Sequence, residues 1–553
     1  MSEQPTFIVS IEITILWMLV AVAAVALVTK RIRLPYTVAL VIAGLIIAFV
    51  PGTPKVDLTP DLILSVFLPT LIFEAAYNLD FQHLRDNIRT ISVLAIPGVL
   101  LTAGVVAVLM HYAAGFDWVV ALLFGAIVAA TDPVSVVATF KQLGAPSRLR
   151  TIIEGESLFN DGTSLVLFRV LVGILAAGAL DPASSVAQFF LVIAGGLLVG
   201  LATGYIVARL MTQFDDYLVE TVMTVILAYG TYFLAEQLHV SGVIAVVVAG
   251  LVVGNYAQTT SFSPTSRIAV GLSWEFFGFL TNSLIFLFVG LQVHLARLFD
   301  LWHVVVAIAA VVLSRAVAVV MVSWVLRILR IDRPLAWNWQ VLLVWGGLRG
   351  SLSLAMALSL PYVVGPASEP FRERQDILVM TFGVIIFTLL VQGLTLRPLL
   401  ERLGLVGTDQ QRAEYERTRA ALRVVRAAQN TLDREVRGGI VTPLIAADLR
   451  AEYEAREAAL LARLESFQIS DQDLREQQLR SARRHLLTVE RSTIRTLLTE
   501  GAISDESGRE LVTEIDARLA GLEAAAEPDA AAAAPPAPAP NAPRIREEAP
   551  PPG

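Results

Sequence analysis

"EGESLFNDGTSLVLFRVLVGILAAGAL", residues 154–180, sets Glu154, Glu156 and Asp161 at the head of an apolar run long enough to cross a bilayer. Carboxylates at that depth are costly and must face protein or water rather than lipid. Read as a helix turning about 100° per residue, the stretch places Glu154, Ser157, Asp161 and Ser164 on one stripe. Glu156, Asn160 and Thr163 fall on the neighbouring stripe, while Leu158, Gly162 and Val166 lie opposite, with Arg169 further along that side. The polar half is expected to face the protein or a cavity. A structural polar seam between helices is the plainer alternative, but such contacts rarely need this many acids.

The surrounding chain supplies a membrane setting. Of its 553 residues, 55% are hydrophobic and 16% charged, and its mean hydropathy is +0.66; soluble domains carry about a quarter charged residues. Residues 7 to about 400 form one apolar block. Runs of about 20 apolar residues, enough to span about 30 Å of hydrocarbon, recur through it. The fold class is therefore all-α and polytopic. About thirteen spans are expected, near 7–28, 36–50, 61–77, 89–112, 117–140, 151–178, 187–211, 217–237, 240–256, 273–296, 302–326, 338–362 and 376–398. Twelve is the alternative count, since the second and ninth runs are short. The first run is too long for a leader core and has no basic stretch before it, so it reads as a span.

Loop charge orients these spans. Lys30, Arg31 and Arg33, then Arg85 and Arg89, then Lys141, Arg148 and Arg150 occupy alternate loops, and the series continues through Arg209, Arg267, Arg327, Arg330 and Arg333 to Arg397. The intervening loops hold Lys55, Arg297, Arg372 and Arg374. The positive-inside rule puts the N-terminus outside and the C-terminus in the cytoplasm, which requires an odd count. Residues 1–404 are thus expected to form the transmembrane domain. Residues 405–525, rich in Ala, Arg, Glu and Leu at helical spacing, read as a cytoplasmic helical domain for regulation or oligomerisation. The Pro/Ala-rich segment 526–553 reads as disordered.

The chain has no cysteine, which excludes disulfides and thiolate chemistry. No nucleotide-binding glycine loop points to an ATP-driven pump. No cofactor and no nucleic-acid partner is expected.

Two further stretches carry ionisable groups at membrane depth. In "GAIVAATDPVSVVATF", residues 125–140, Pro133 lacks an amide hydrogen and disfavours helix at Asp132. The backbone is expected to open near Thr131 and Asp132, leaving carbonyls beside a carboxylate, a setting suited to hard cations. A simple kink capped by Asp132 is the alternative. In "VLLVWGGLRGSLSLAMALSLP", residues 341–361, Gly346, Gly347 and Gly350 surround Arg349 and predict a second unwound stretch. Interrupted helices in both halves of a hydrophobic chain point to a transporter site; glycines serving only close packing are the alternative. Arg315 needs an anionic partner, and Glu156 is a suitable one. Glu74 is open between an ion ligand and a solvated acid near a span end. Glu154 reads as marking the cytoplasmic mouth. Arg169 and Glu275 are assigned to structural pairing or an interface.

Together, "ATDPVSV", "EGESLFNDGT" and "WGGLRGSLSLA" resemble, in order and spacing, the sodium/proton antiporters of the NhaP and eukaryotic NHE type. The resemblance covers roughly residues 7–400. It implies two inverted six-helix repeats, a dimerising scaffold and a mobile core in which the unwound fifth and twelfth spans cross. It further implies that Asp161 carries the cation and the proton, that Asp132, the Thr131 carbonyl, Ser157 and Glu74 supply further oxygens around Na+, and that Glu156 pairs with Arg315. Arg349 matches the arginine of the twelfth span. Asn160 in place of an acid resembles the electroneutral branch. The implied activity is secondary active exchange of Na+ for H+ across the plasma membrane by a homodimer, without enzyme chemistry, with Li+ and K+ left open as cations. Two other classes stand beside it: an intramembrane aspartyl protease using Asp132 and Asp161, and a cation channel whose acids line a pore.

Overall fold

Proline, glycine and polar breaks cut the apolar block into helices whose ends can be read residue by residue. The computed structural model describes residues 4–29, 31, 35–49, 59–177, 182–213, 215–257, 262–291, 301–329, 335–365, 369–406, 408–438 and 442–466, with shorter stretches between 483 and 524. Two compact units result, Met1–Arg412 and Ala413–Gly553. The tail expected at 526–553 and the loop residues Lys30, Arg33, Lys55, Arg297, Arg330 and Arg333 lie outside the described residues.

The first unit opens with α1 (Gln4–Thr29), α2 (Tyr36–Ala48) and α3 (Pro60–Asn78). Next come α4 (Phe81–Ala95), α5 (Pro97–Ala114), α6 (Trp118–Ala129), α7 (Val134–Leu143) and α8 (Ser147–Ala177). The second half holds α9 (Pro182–Met211), α10 (Tyr217–Gln237), α11 (Gly242–Ala257), α12 (Pro264–Leu291) and α13 (Leu301–Ile328). It ends with α14 (Trp337–Trp345), α15 (Ser351–Leu358) and α16 (Arg374–Arg402). A two-stranded hairpin, β1 (Val363–Val364) against β2 (Glu369–Pro370), joins α15 to α16. Among the described residues nine helices are long and apolar enough to cross a membrane, and Leu16–Thr29, Tyr36–Ala48 and Gly242–Ala257 are shorter apolar helices. The protein is an all-α, multi-pass membrane protein.

Several boundaries differ from the sequence expectation: the runs expected at 187–211 and 273–296 begin at Pro182 and Pro264. The run expected at 89–112 begins at Phe81 and is broken at Ile96, because Pro97 cannot donate a backbone hydrogen bond there. Asp80 caps α4, accepting from the backbone of Gln82 at 2.7 Å and of His83 at 3.1 Å. Packing around the site is close. At Gly44 on α2 and Gly290 on α12 an added Cβ would run into the facing helix backbone, so glycine lets these helices approach. α11 is nearly buried, with Val243, Ala245, Val246, Val247 and Ala249 fully enclosed.

The second unit contains α17 (Thr408–Arg437) from Ala413 onward, α18 (Pro443–Ser466) and α19 (Asp505–Ala524). Arg463–Glu414 at 2.5 Å and Arg450–Asp433 at 2.6 Å fix α17 and α18 as an antiparallel pair, with Arg426–Glu457 at 2.8 Å between them. Such exposed pairs set register more than stability. Leu422, Val425, Leu432 and Ala446 provide the buried seam.

Candidate functional site

The site forms where two helices lose their hydrogen-bond ladders. The first break covers Ala130–Pro133, between α6 and α7, where Pro133 stops the incoming helix. The second covers Gly346–Gly350, between α14 and α15. They touch directly: the Asp132 amide donates to the Leu348 carbonyl at 2.8 Å. The Asp132 carboxylate accepts from the Val134 amide at 2.9 Å and so also caps α7. At Gly350 an added Cβ would overlap that carboxylate, so glycine lets the two unwound stretches cross this closely. In the second break the Arg349 amide donates to Thr388 Oγ1 at 3.2 Å. The Arg349 guanidinium is fully buried and donates to the Gly347 carbonyl at 2.7 Å.

The quoted stretch lies on α8 and forms the adjoining wall. Ser157 Oγ and Thr131 Oγ1 are 2.9 Å apart, and Asn160 Nδ2 donates to Thr131 Oγ1 at 2.6 Å. Through these bonds α8 holds the first break by its side chains. Asp161, half-buried, lines a cavity of about 450 Å3 together with Glu74, Thr131, Asp132 and Ser157. The structure thus brings the five residues expected to surround the cation to one cavity. Glu74 enters from α3 and accepts from Asn78 Nδ2 at 2.9 Å.

Asn160, Glu156, Arg315 and Arg349 stand behind that wall. Arg315, from α13, grips Glu156 with both terminal nitrogens, Nη2 reaching Oε2 at 2.9 Å, and its Nε donates to the Leu343 carbonyl at 3.1 Å. One arginine therefore joins α8, α13 and the end of α14. Glu154 is also in the cavity wall. Leu158 lines the cavity too, although the stripe argument put it on the opposite face: the polar and apolar sectors of α8 meet at the wall. Arg169 pairs with Glu236 at 3.0 Å, and Glu275 is exposed.

Sequence reasoning did not single out Asn282, Ser351 and Ser353 for the cavity wall, nor Lys141 and Arg150, which it used only for orientation. Thr388 was also missed. A hydroxyl in an apolar helix carries no signal by itself, but Ser351 and Ser353 directly follow the Arg349–Gly350 break, and that adjacency was readable. Among the described residues no three His, Asp or Glu side chains gather closely enough to hold a resident metal ion. What the arrangement offers is a set of carboxylate and hydroxyl oxygens around a cavity, suited to a hard cation.

Comparison with known proteins follows the same outline. The family model for the transmembrane sodium/hydrogen exchanger matches residues 18–402. The chain is 43% identical over 388 residues to the low-affinity Na+/H+ antiporter NhaS1 of Synechocystis, covering 69% of this chain and 72% of that one. It is 41% identical over 405 residues to the Na+/H+ antiporter ApNhaP of Aphanothece halophytica, covering 72% and 76%. A solved structure of the sodium proton antiporter MjNhaP1 from Methanocaldococcus jannaschii aligns with a TM-score of 0.60 at 20% identity, covering 71% of this chain and 99% of that one. At that identity the likeness establishes a shared fold.

Proposed function

The chain belongs to the sodium/hydrogen exchanger family, and we propose that it exchanges Na+ for H+ at Asp161. Family membership makes it a transporter and sets aside the protease reading of Asp132 and Asp161. The observation that carries the proposal is the convergence of Glu74, Thr131, Asp132, Ser157 and Asp161 on one cavity beside two crossing, unwound stretches.

In this mechanism Asp161 holds either a proton or a partly dehydrated cation, never both. Oxygens of Asp132, Ser157, Thr131 and Glu74 replace water lost from the cation. Either substrate neutralises the carboxylate, and the loaded site can then pass the apolar barrier; an empty anion cannot. Competition for one carboxylate thus couples the two fluxes. Asn160 contributes an amide rather than a second acid, so one Na+ exchanges for one H+. Glu156 and Arg315 hold the helices that frame the site. The reading extends to a homodimer in the plasma membrane with the N-terminus outside and the C-terminus in the cytoplasm. The helical region 405–525 acts there as a regulatory or oligomerisation domain. A K+/H+ antiporter with the same site is the alternative within the family.

Cation-driven pH change in proteoliposomes tests the reading. The wild-type protein should acidify or alkalinise the lumen according to the imposed Na+ gradient, without single-channel current. Apparent KM for Na+ should rise as pH falls, since protons compete for Asp161. Asp161→Asn should reduce exchange by at least about a hundredfold, on the order of 3 kcal/mol of lost function; exchange at the wild-type rate would overturn the mechanism. A Na+, Li+ and K+ series in the same vesicles separates the two cation readings.

A further inference from the structure

Resting on the antiport reading and deepening it, we propose that Ser353 supplies a further oxygen ligand to the transported cation, from the second interrupted helix. Ser353 lies in the first turn of α15, is 1% exposed, and forms part of the wall of the cavity that holds Asp132 and Asp161. Its hydroxyl has no hydrogen-bond partner among the described residues. Hydroxyls buried in a helix usually return to a carbonyl one turn earlier. Thr163 does so to the Phe159 carbonyl at 2.9 Å and Thr381 to the Ile377 carbonyl at 2.7 Å. For Ser353 the residue one turn earlier is Arg349, which lies in the unwound stretch rather than in a helix. This serine thus follows the break directly, and its hydroxyl is buried and unpartnered on a residue of the cavity wall.

An unpartnered buried hydroxyl is unfavourable unless something in the cavity meets it. A hydroxyl oxygen carries no charge and suits a hard monovalent cation. It also cannot take the proton that competes at Asp161, so it favours the cation-loaded state over the protonated one. Ser164 provides the contrast. It too is fully buried with no hydrogen-bond partner for its hydroxyl among the described residues, but it is not part of the cavity wall. The other oxygens assigned to the cation come from α3, the first break and α8. Ser353 would add a contact from α15, so that a bound cation bridges both interrupted helices.

The test measures Na+ and Li+ dependence of exchange in proteoliposomes for the wild-type protein, Ser353→Ala and Ser164→Ala. Ser353→Ala should raise KM for Na+ roughly three- to tenfold, with the maximal rate within about twofold, and should change the ratio of the Na+ and Li+ KM values. The Na+-dependent rise in Tm of the purified protein should shrink in parallel. Ser164→Ala should leave KM and the cation ratio as in wild type. Unchanged KM and unchanged cation ratio in Ser353→Ala would overturn the proposal. An equal shift in Ser164→Ala would also overturn it, by showing that any buried hydroxyl acts through packing. Failure of the antiport reading is distinguishable, because it would appear as absent exchange in the wild-type protein or as full exchange by Asp161→Asn.

Discussion

Between α6 and α7 a helix is opened by Pro133 and the gap is edged with oxygen, from Thr131 and Asp132. Between α14 and α15 the helix is opened around Gly346, Gly347 and Gly350, and the gap carries the guanidinium of Arg349. The first break is held largely by its own residues and by α8: Asp132 caps α7, and Thr131 bonds to Ser157 and Asn160. The second is held by Arg349 bonding to Gly347 within the break and by Thr388 on α16, while Arg315, which also grips Glu156, anchors the end of α14 just before it. Two similar interruptions thus differ in charge and in support. The acidic break puts its carboxylate in the cavity wall, whereas the basic break reaches the cavity only at Gly350 and adjoins a frame that can be perturbed without touching Asp161.

The largest effect should come from that frame. Glu156→Gln leaves Arg315 buried without its carboxylate and should cost about 3–5 kcal/mol, seen as a large fall in Tm in detergent. Replacing both partners with apolar residues of similar volume should recover much of that loss. If the single and double variants melt alike, the loss does not come from an arginine left buried without its partner. Gly350→Ala comes next. Its methyl group would displace the Asp132 carboxylate, so both breaks should suffer: about 1–3 kcal/mol of stability and a marked loss of exchange. Retained exchange would show that the crossing has more room than the close approach implies.

Thr388→Val removes the acceptor of the Arg349 amide and should cost about 1–2 kcal/mol. The effect should fall on stability, with KM for Na+ close to wild type, because Thr388 is not in the cavity wall. The smallest expected effect lies outside the membrane, where Asp80→Ala should cost about 1 kcal/mol through loss of a helix cap. The backbone amide of His83, aided by that of Gln82, holds the Asp80 carboxyl below its ordinary range. A lowered value in the folded state means that the cap contributes fully above the unfolded value of about 3.9. Its contribution disappears as pH falls through the folded value. The Tm gap between wild type and Asp80→Ala should therefore close on acidification below about pH 4.

Both breaks were legible because Pro133 and Gly346–Gly350 act locally, on the residue itself or its neighbour. The partnership of Glu156 with Arg315 was also within reach, since a buried charge demands an opposite one. The prop at Thr388 was not. It lies 39 positions from Arg349, and a threonine in an apolar helix looks the same whether it bonds its own carbonyl or another chain segment. Asn282 was hidden for the same reason. Ser353 needed one step more: the hydroxyl becomes exceptional only once it is seen buried and unpartnered on a residue of the cavity wall. Short-range chemistry was readable, whereas contacts between distant segments required the fold.

Thr388–Gln392 on α16 form a π turn. Such a turn accommodates one residue more than the α turn it replaces, so everything after it is re-phased by about 100°. Before the turn α16 presents Thr381 and Val384 to the interior; after it Leu396 and Leu400 are buried. Thr388, at the seam, meets Arg349. The extra residue works like a spacer inserted into a screw thread: the two ends of one helix follow separate alignments. Deleting a single residue at Leu390 should restore one continuous thread, and the lower end could then keep its burial only by pulling Thr388 away from Arg349.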